Sequence, residues 1–176
     1  YFESSVAKLW AVADGMGGHE KGDLASKCII DNLISLVKKQ QSNLTVQHII
    51  NSIKEANTEL HSIAQRADSI IGSTVAILFC DGNKAYFLWA GDSRVYLLRE
   101  NKIQRLTRDH SHVEDLLNEG LITARQAENH PKSNIITRAV GTGESIDLEI
   151  ADIDLQPNDA FILCTDGLNK TMSDSE

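Results

Sequence analysis

No stretch of this 176-residue chain is apolar for the length of a membrane span, and none is laid out like a secretion signal. Basic residues are outnumbered: 17 Lys and Arg against 25 Asp and Glu leave a formal net charge of −8. That balance argues against nucleic acid or a polybasic membrane contact as a partner, since both need an excess of cations. Cysteine is scarce. Cys28, Cys80 and Cys164 stand singly in apolar runs, with no Cys-x-x-Cys. Neither a zinc site nor a disulfide frame is expected, and buried reduced thiols are. Internal repeats, low-complexity tracts and linkers are missing too. What is left is a chain of ordinary apolar content, long enough for one core. It reads as one domain over residues 1–176, expected to be cytoplasmic and monomeric.

Periodicity divides the chain into helical and extended parts. From Asp23 to Lys39, Ala25, Cys28, Ile29, Leu33, Leu36 and Val37 fall on one helical face. Thr45 is placed to cap a second helix, with the stripe Val46, Ile49, Ile50, Ile53, Ala56, Leu60 and Ile63. Short strands follow: Thr74 to Phe79, Lys84 to Ala90, Val95 to Leu98 and Lys102 to Leu106. The tight turns between them predict an antiparallel meander. Ile146 to Leu155 and Ala160 to Thr165 add two more strands around Gln156-Pro157-Asn158-Asp159. Between Leu106 and Ile146, Asp109 to Lys132 has short helical runs split by Gly120, a Thr123/Gln126 cap and a closing Pro131. It reads as a mobile flap in which His110, His112 and His130 cluster. Both ends look cut: Tyr1-Phe2-Glu3 reads as mid-element, and Ser173-Asp174-Ser175-Glu176 as a capping box.

Three apolar runs end in an aspartate on a tight turn. Leu9 to Ala13 meets Asp14-Gly15-Met16-Gly17-Gly18-His19, Ala85 to Ala90 meets Gly91-Asp92-Ser93-Arg94, and Phe161 to Thr165 meets Asp166-Gly167. One such turn is ordinary punctuation. Three can aim carboxylates at one point, which suits hard cations such as Mg²⁺ or Mn²⁺. Bound cations would also offset the chain's acidic charge locally. Gly15, Gly17 and Gly18 let the backbone come close to a ligand, and a glycine carbonyl is a competent ligand for such ions. A dinucleotide fingerprint fails because Glu20 holds the third glycine position, and no Gly-Lys-Ser/Thr is present for a phosphate loop. Asp92 is open between a ligand and an acceptor for backbone amides. Arg94 is open between a phosphate fork and a partner for a nearby carboxylate. His19 reads first as a helix cap and second as a general acid.

The order Asp14-Gly15-Met16-Gly17-Gly18-His19, Gly72-Ser73-Thr74, Gly91-Asp92-Ser93-Arg94, Asp109-His110 and Thr165-Asp166-Gly167 resembles the metal-dependent protein phosphatases of type 2C. The bacterial serine/threonine branch, with its Asp-Gly-Met-Gly-Gly-His, is the nearer match. The resemblance implies an α/β (α+β) four-layer sandwich, two antiparallel β-sheets flanked by helices, with a small helical flap at about 109–132. It implies two to three Mn²⁺ or Mg²⁺ ions. Asp14 would bridge two of them, the Gly15 carbonyl would bind one, Asp166 would bind the first, and Asp92 a weaker third. A hydroxide bridging two ions would hydrolyse phosphoserine and phosphothreonine proteins, with a cognate kinase and its substrates as expected partners. Two further aspartates and a phosphate-holding arginine would lie before Tyr1 and after Glu176. Where the animal branch carries a histidine, this chain has Met16, which cannot transfer a proton, so neither a catalytic acid nor a substrate-binding residue is assigned. The rival expectation is a non-catalytic module that binds a signalling partner through the flap.

Overall fold

The computed structural model describes residues 1–40, 43–128 and 130–169. In chain order its elements are β1 (Phe2–Ser4), β2 (Leu9–Val12), β3 (Gly15–Met16), α1 (His19–Gln40), α2 (Val46–Arg66), β4 (Gly72–Ser73), β5 (Val75–Asp81), β6 (Lys84–Ala90), β7 (Arg94–Arg99), β8 (Lys102–Arg105), α3 (His112–Asn118), α4 (Ala124–Glu128), β9 (Glu149–Asp154), β10 (Ala160–Cys164) and α5 (Asp166–Asn169). Five strands form one antiparallel sheet in the order β1-β2-β5-β6-β9. Three form a second, β10-β7-β8, and β3 pairs with β4.

Side chains alternate across the first sheet, and both faces are covered. Leu9, Ala11, Val75, Ile77, Phe79 and Leu88 turn toward Ile29, Leu33, Ile49, Ile53 and Leu60 of α1 and α2. Ala76, Leu78, Phe87 and Trp89 turn the other way and meet Val95, Phe161 and Leu163 of the second sheet. A strand buried on both faces has no polar alternation, which is why β5 reads as one continuous apolar run. Among the described residues the order is helices, sheet, sheet. The described residues do not include a second helical layer of the expected four-layer sandwich, and the Ser173–Glu176 capping box and the His19 side chain lie outside them. The outer face of the second sheet leaves Leu98, Ile103 and Ile162 exposed.

The expected single meander is not what forms. β5 and β6 pair as a hairpin, but the chain then leaves the first sheet, and β7 and β8 belong to the second. Gly91 makes the crossing with φ at +107°, where a Cβ would also lie 2.6 Å from Thr74 Cβ. No L-residue with a side chain fits that position without strain. Other differences are matters of extent. The first helix starts at His19, four residues before Asp23, because Gly18 already accepts the amide of Gly22 at 2.8 Å. The strand expected from Ile146 begins only at Glu149, since Ile146 is turned into the helix-side core at 4% exposure. Of the three thiols only Cys164 is buried, and Cys28 and Cys80 are half-buried. Burial pushes the Cys28 thiol up to about 12, with Glu59 beside it acting in the same direction.

Two caps stand where the sequence puts them. Thr45 Oγ1 accepts the amide of His48 at 3.3 Å. Thr123 and Gln126 exchange backbone-to-side-chain bonds in both directions at the start of α4. The three-histidine cluster does not form. His112 and His130 meet edge to face at 6.5 Å, whereas His110 stacks on Trp89 at 6.1 Å. His110 therefore belongs to the sheet side of this region, and the helical part begins after it.

Candidate metal centre

Register alone brings the three strand-end aspartates to one end of the two sheets. Asp14 follows β2 and sits beside Thr74. Its carbonyl accepts the Thr74 amide at 2.9 Å, and its own amide donates to Thr74 Oγ1 at 3.2 Å. The pairing of Val75 with Ala90 sets Thr74 next to Gly91. The pairing of Cys164 with Arg94 ends β10 at the same end of the sheets, and Asp166 opens α5 two residues later. A hydroxyl bridge ties the first sheet to the second: Thr74 Oγ1 and Ser93 Oγ are 2.7 Å apart, at 2% and 1% exposure. Buried hydroxyls need partners, and these two satisfy each other while fixing the loops that carry Asp14 and Asp92. Asp14, Asp92 and Asp166 are each half-buried.

Gly15 runs in β3 against Ser73, packed on the first turn of α1. A Cβ on Gly15 would fall 1.8 Å from the Gly22 carbonyl oxygen, and one on Gly22 would fall 2.7 Å from the Gly15 carbonyl oxygen. The backbone beside Asp14 is therefore held by a glycine-on-glycine contact, and the α1 side of the Gly15 carbonyl is closed. Among the described residues no three His, Cys, Asp or Glu side chains lie together closely enough to hold a metal ion by themselves. The chain offers a partial set of oxygens, and such a set fits Mg²⁺ or Mn²⁺, which keep several water ligands.

The alternatives left open for Arg94 are resolved toward a carboxylate partner. Its Nε donates to Asp109 Oδ1 at 3.0 Å and its Nη2 to Asp109 Oδ2 at 2.7 Å, a two-point fork, while Nη1 donates to Tyr96 Oη at 3.0 Å. Burial works against the Arg94 charge, but the Asp109 bonds and charge outweigh it and hold the guanidinium above its ordinary range. Asp109 thereby anchors the start of the helical region to β7.

His110 is placed just as tightly. Its amide donates to the Gly91 carbonyl at 2.9 Å, and its Nδ1 accepts the Gly91 amide at 3.1 Å. An amide can only donate, so the imidazole proton sits on Nε2, which lies 2.8 Å from Glu149 Oε2. Burial presses the imidazole below its ordinary value of 6.5, against the pull of Glu149. A depressed folded value means that the unfolded chain binds the proton first as pH falls. The stability His110 contributes is thus whole above pH 6.5 and is lost as pH falls through the folded value. The denaturation midpoint is expected to drop between about pH 7.5 and about pH 5.5, with a shallower drop in His110→Asn. Equal slopes for the two proteins in urea titrations would contradict this.

Several residues at this end were not singled out from the sequence as site residues. Thr74 and Ser93 stand inside the quoted motifs, but only the sheet register shows that their hydroxyls meet. Glu149 and Gly22 carried no local signal, because their partners are 39 and 7 positions away in the chain.

A family model described as "Protein phosphatase 2C" matches residues 2–176. The serine/threonine phosphatase Stp of Listeria monocytogenes is 34% identical over 171 residues, covering 94% of this chain and 68% of that protein. PppA, a key regulatory component of the type VI secretion system in Pseudomonas aeruginosa, superposes with a TM-score of 0.82 at 40% identity, covering 96% of this chain and 70% of that one. The catalytic domain of the serine/threonine protein phosphatase PstP, solved in complex with two manganese ions, superposes with a TM-score of 0.83 at 28% identity, covering 96% and 71%. A PstP of Mycobacterium tuberculosis matches at 31% identity over 170 residues, which is 33% of its length. The aspartate-ended strands, the two packed antiparallel sheets and these matches agree: the chain belongs to the protein phosphatase 2C family, the metal-dependent serine/threonine phosphatases.

Proposed function

We propose that Asp14, the Gly15 carbonyl, Asp166 and, more weakly, Asp92 hold the two to three Mn²⁺ or Mg²⁺ ions with which this chain hydrolyses phosphoserine and phosphothreonine in proteins. The observation that carries this reading is the Thr74–Ser93 bridge, which ties the turns of Asp14 and Asp92 together at the end of the sheets where β10 also ends before Asp166. Bound there, the ions supply an activated water at neutral pH and neutralise the phosphoryl charge. The chain's own part is to hold its carboxylates still. Asp14 is fixed at both its amide and its carbonyl, so its side chain leaves the backbone from a set direction. Such pre-positioning costs no reorganisation when charge develops on the ester. Arg94, forked on Asp109, braces β7 and is not given to the phosphate.

In this reading residues 109–132 form the substrate-facing flap, hinged where Arg94 holds Asp109 and where Thr137 donates to the His110 carbonyl at 2.9 Å. The protein substrates include those of a cognate kinase. The chain works as a cytoplasmic monomer; no helix among the described residues is long and apolar enough to cross a membrane. The test is hydrolysis of a small aryl phosphate and a phosphothreonine peptide by the full-length protein. Activity is expected to stop with chelator and return with Mn²⁺ or Mg²⁺. Full turnover in excess chelator, with no metal found by elemental analysis, would overturn the reading.

A further inference from the structure

We propose that His110 is a positioning residue for the metal centre. Its imidazole orients the turn that carries Asp92, and so sets how tightly the weakest-held cation is kept. The inference rests on the reading of Asp92 as a ligand.

The geometry is a two-point clamp on one residue. The amide and the carbonyl of Gly91 are both taken by His110, at 3.1 Å by Nδ1 and at 2.9 Å by the backbone amide. These two bonds hold Gly91 at both its polar groups, at a φ of +107°, beside the Thr74–Ser93 bridge on the other side of Asp92. Asp92 is the next residue, so its carboxylate is aimed by whatever holds Gly91. Only the Nδ1 bond depends on the identity of residue 110. The ring is itself constrained on its remaining sides. Trp89 stacks on it at 6.1 Å with an interplanar angle of 8°, and Glu149 accepts from Nε2 at 2.8 Å, which fixes the tautomer that leaves Nδ1 as acceptor. Groups one step removed from a ligand commonly shift metal affinity by about 10- to 100-fold when removed.

Two amide substitutions separate the halves of the ring. Asparagine places an oxygen near the Nδ1 position and keeps an acceptor for Gly91. Glutamine places its amide near Nε2, keeps the Glu149 contact and loses the Gly91 bond. Mn²⁺ is titrated calorimetrically into full-length wild type, Asp92→Asn, His110→Asn and His110→Gln, with thermal midpoints recorded beside each. The weakest site is expected to be lost in Asp92→Asn, weakened about 10-fold in His110→Gln, and kept within about 3-fold in His110→Asn. An unchanged weak site in His110→Gln, while Asp92→Asn loses it, overturns the role of His110 and leaves the Asp92 reading standing. Equal weakening in both His110 variants also overturns it, because a general packing defect would not distinguish them. An unchanged weak site in Asp92→Asn removes the ligand reading and the inference with it. If His110→Gln does not fold, His110→Ala is measured in its place: it too lacks an acceptor for the Gly91 amide, so the weakest site is expected to weaken about 10-fold, and an unchanged weak site overturns the proposal.

Discussion

Asp14→Asn in the full-length protein is expected to lower turnover by about 10²-fold or more at saturating Mn²⁺, the scale on which a key electrostatic group acts. Asparagine keeps the shape and can keep the backbone bonds to Thr74, because those use the amide and carbonyl of residue 14 and not its side chain. What it loses is a negative charge, at the position expected to serve two ions at once. Asp92→Asn is expected to cost much less under the same conditions, since excess metal compensates for a weaker ligand. Steady-state kinetics on an aryl phosphate across a Mn²⁺ series separates the two. Equal, small losses at both positions would show that Asp14 is not the central ligand.

The second large effect is on stability, and its sign opposes helix propensity. Gly22 lies in the first turn of α1, where alanine would ordinarily add up to about 1 kcal/mol. The added methyl would sit 2.7 Å from the Gly15 oxygen and 2.9 Å from the Gly15 carbon, both backbone atoms. Overpacking of that kind costs about 1–3 kcal/mol, so Gly22→Ala is expected to be net destabilising. Gly15→Ala is worse, with its Cβ 1.8 Å from the Gly22 oxygen, and about 3 kcal/mol or more is expected. Gly143→Ala, whose added methyl would meet the Ser145 carbonyl oxygen at an ordinary 3.5 Å, is the control and is expected to stay within about 0.5 kcal/mol. Urea denaturation midpoints measure all three. A stabilised Gly22→Ala would show that α1 does not press on the aspartate turn.

What the sequence made legible follows from range. Thr45 and Thr123 act over three residues, so both caps could be placed by reading along the chain. The apolar stripes of α1 and α2 and the hairpin of β5 with β6 are equally local. The passage from β6 to β7 is not. A hairpin turn and a jump between sheets both use glycine and small polar residues, and the choice here is made by Thr74, nineteen positions back, reaching Ser93. Arg94 shows the same limit: a guanidinium beside a motif aspartate suits a phosphate or a carboxylate, and only the approach of Asp109 decides. His110 looked like part of a histidine cluster because His112 is two residues away. The stacking on Trp89 and the bond to Glu149, which put it with the sheets, are long-range. The aspartates themselves were visible because a strand end followed by a turn is a local signal, whereas the hydroxyls that hold their loops together needed the fold.

The most direct test of the account is a crystal structure of the full-length protein grown with Mn²⁺, with the ions located by anomalous scattering at the manganese edge. At least two manganese ions are expected at the shared end of the sheets, with Asp14 between them, the Gly15 carbonyl on one and Asp166 on the other. Manganese found only elsewhere on the acidic surface, with Asp14 and Asp166 making no contact to it, would contradict the account.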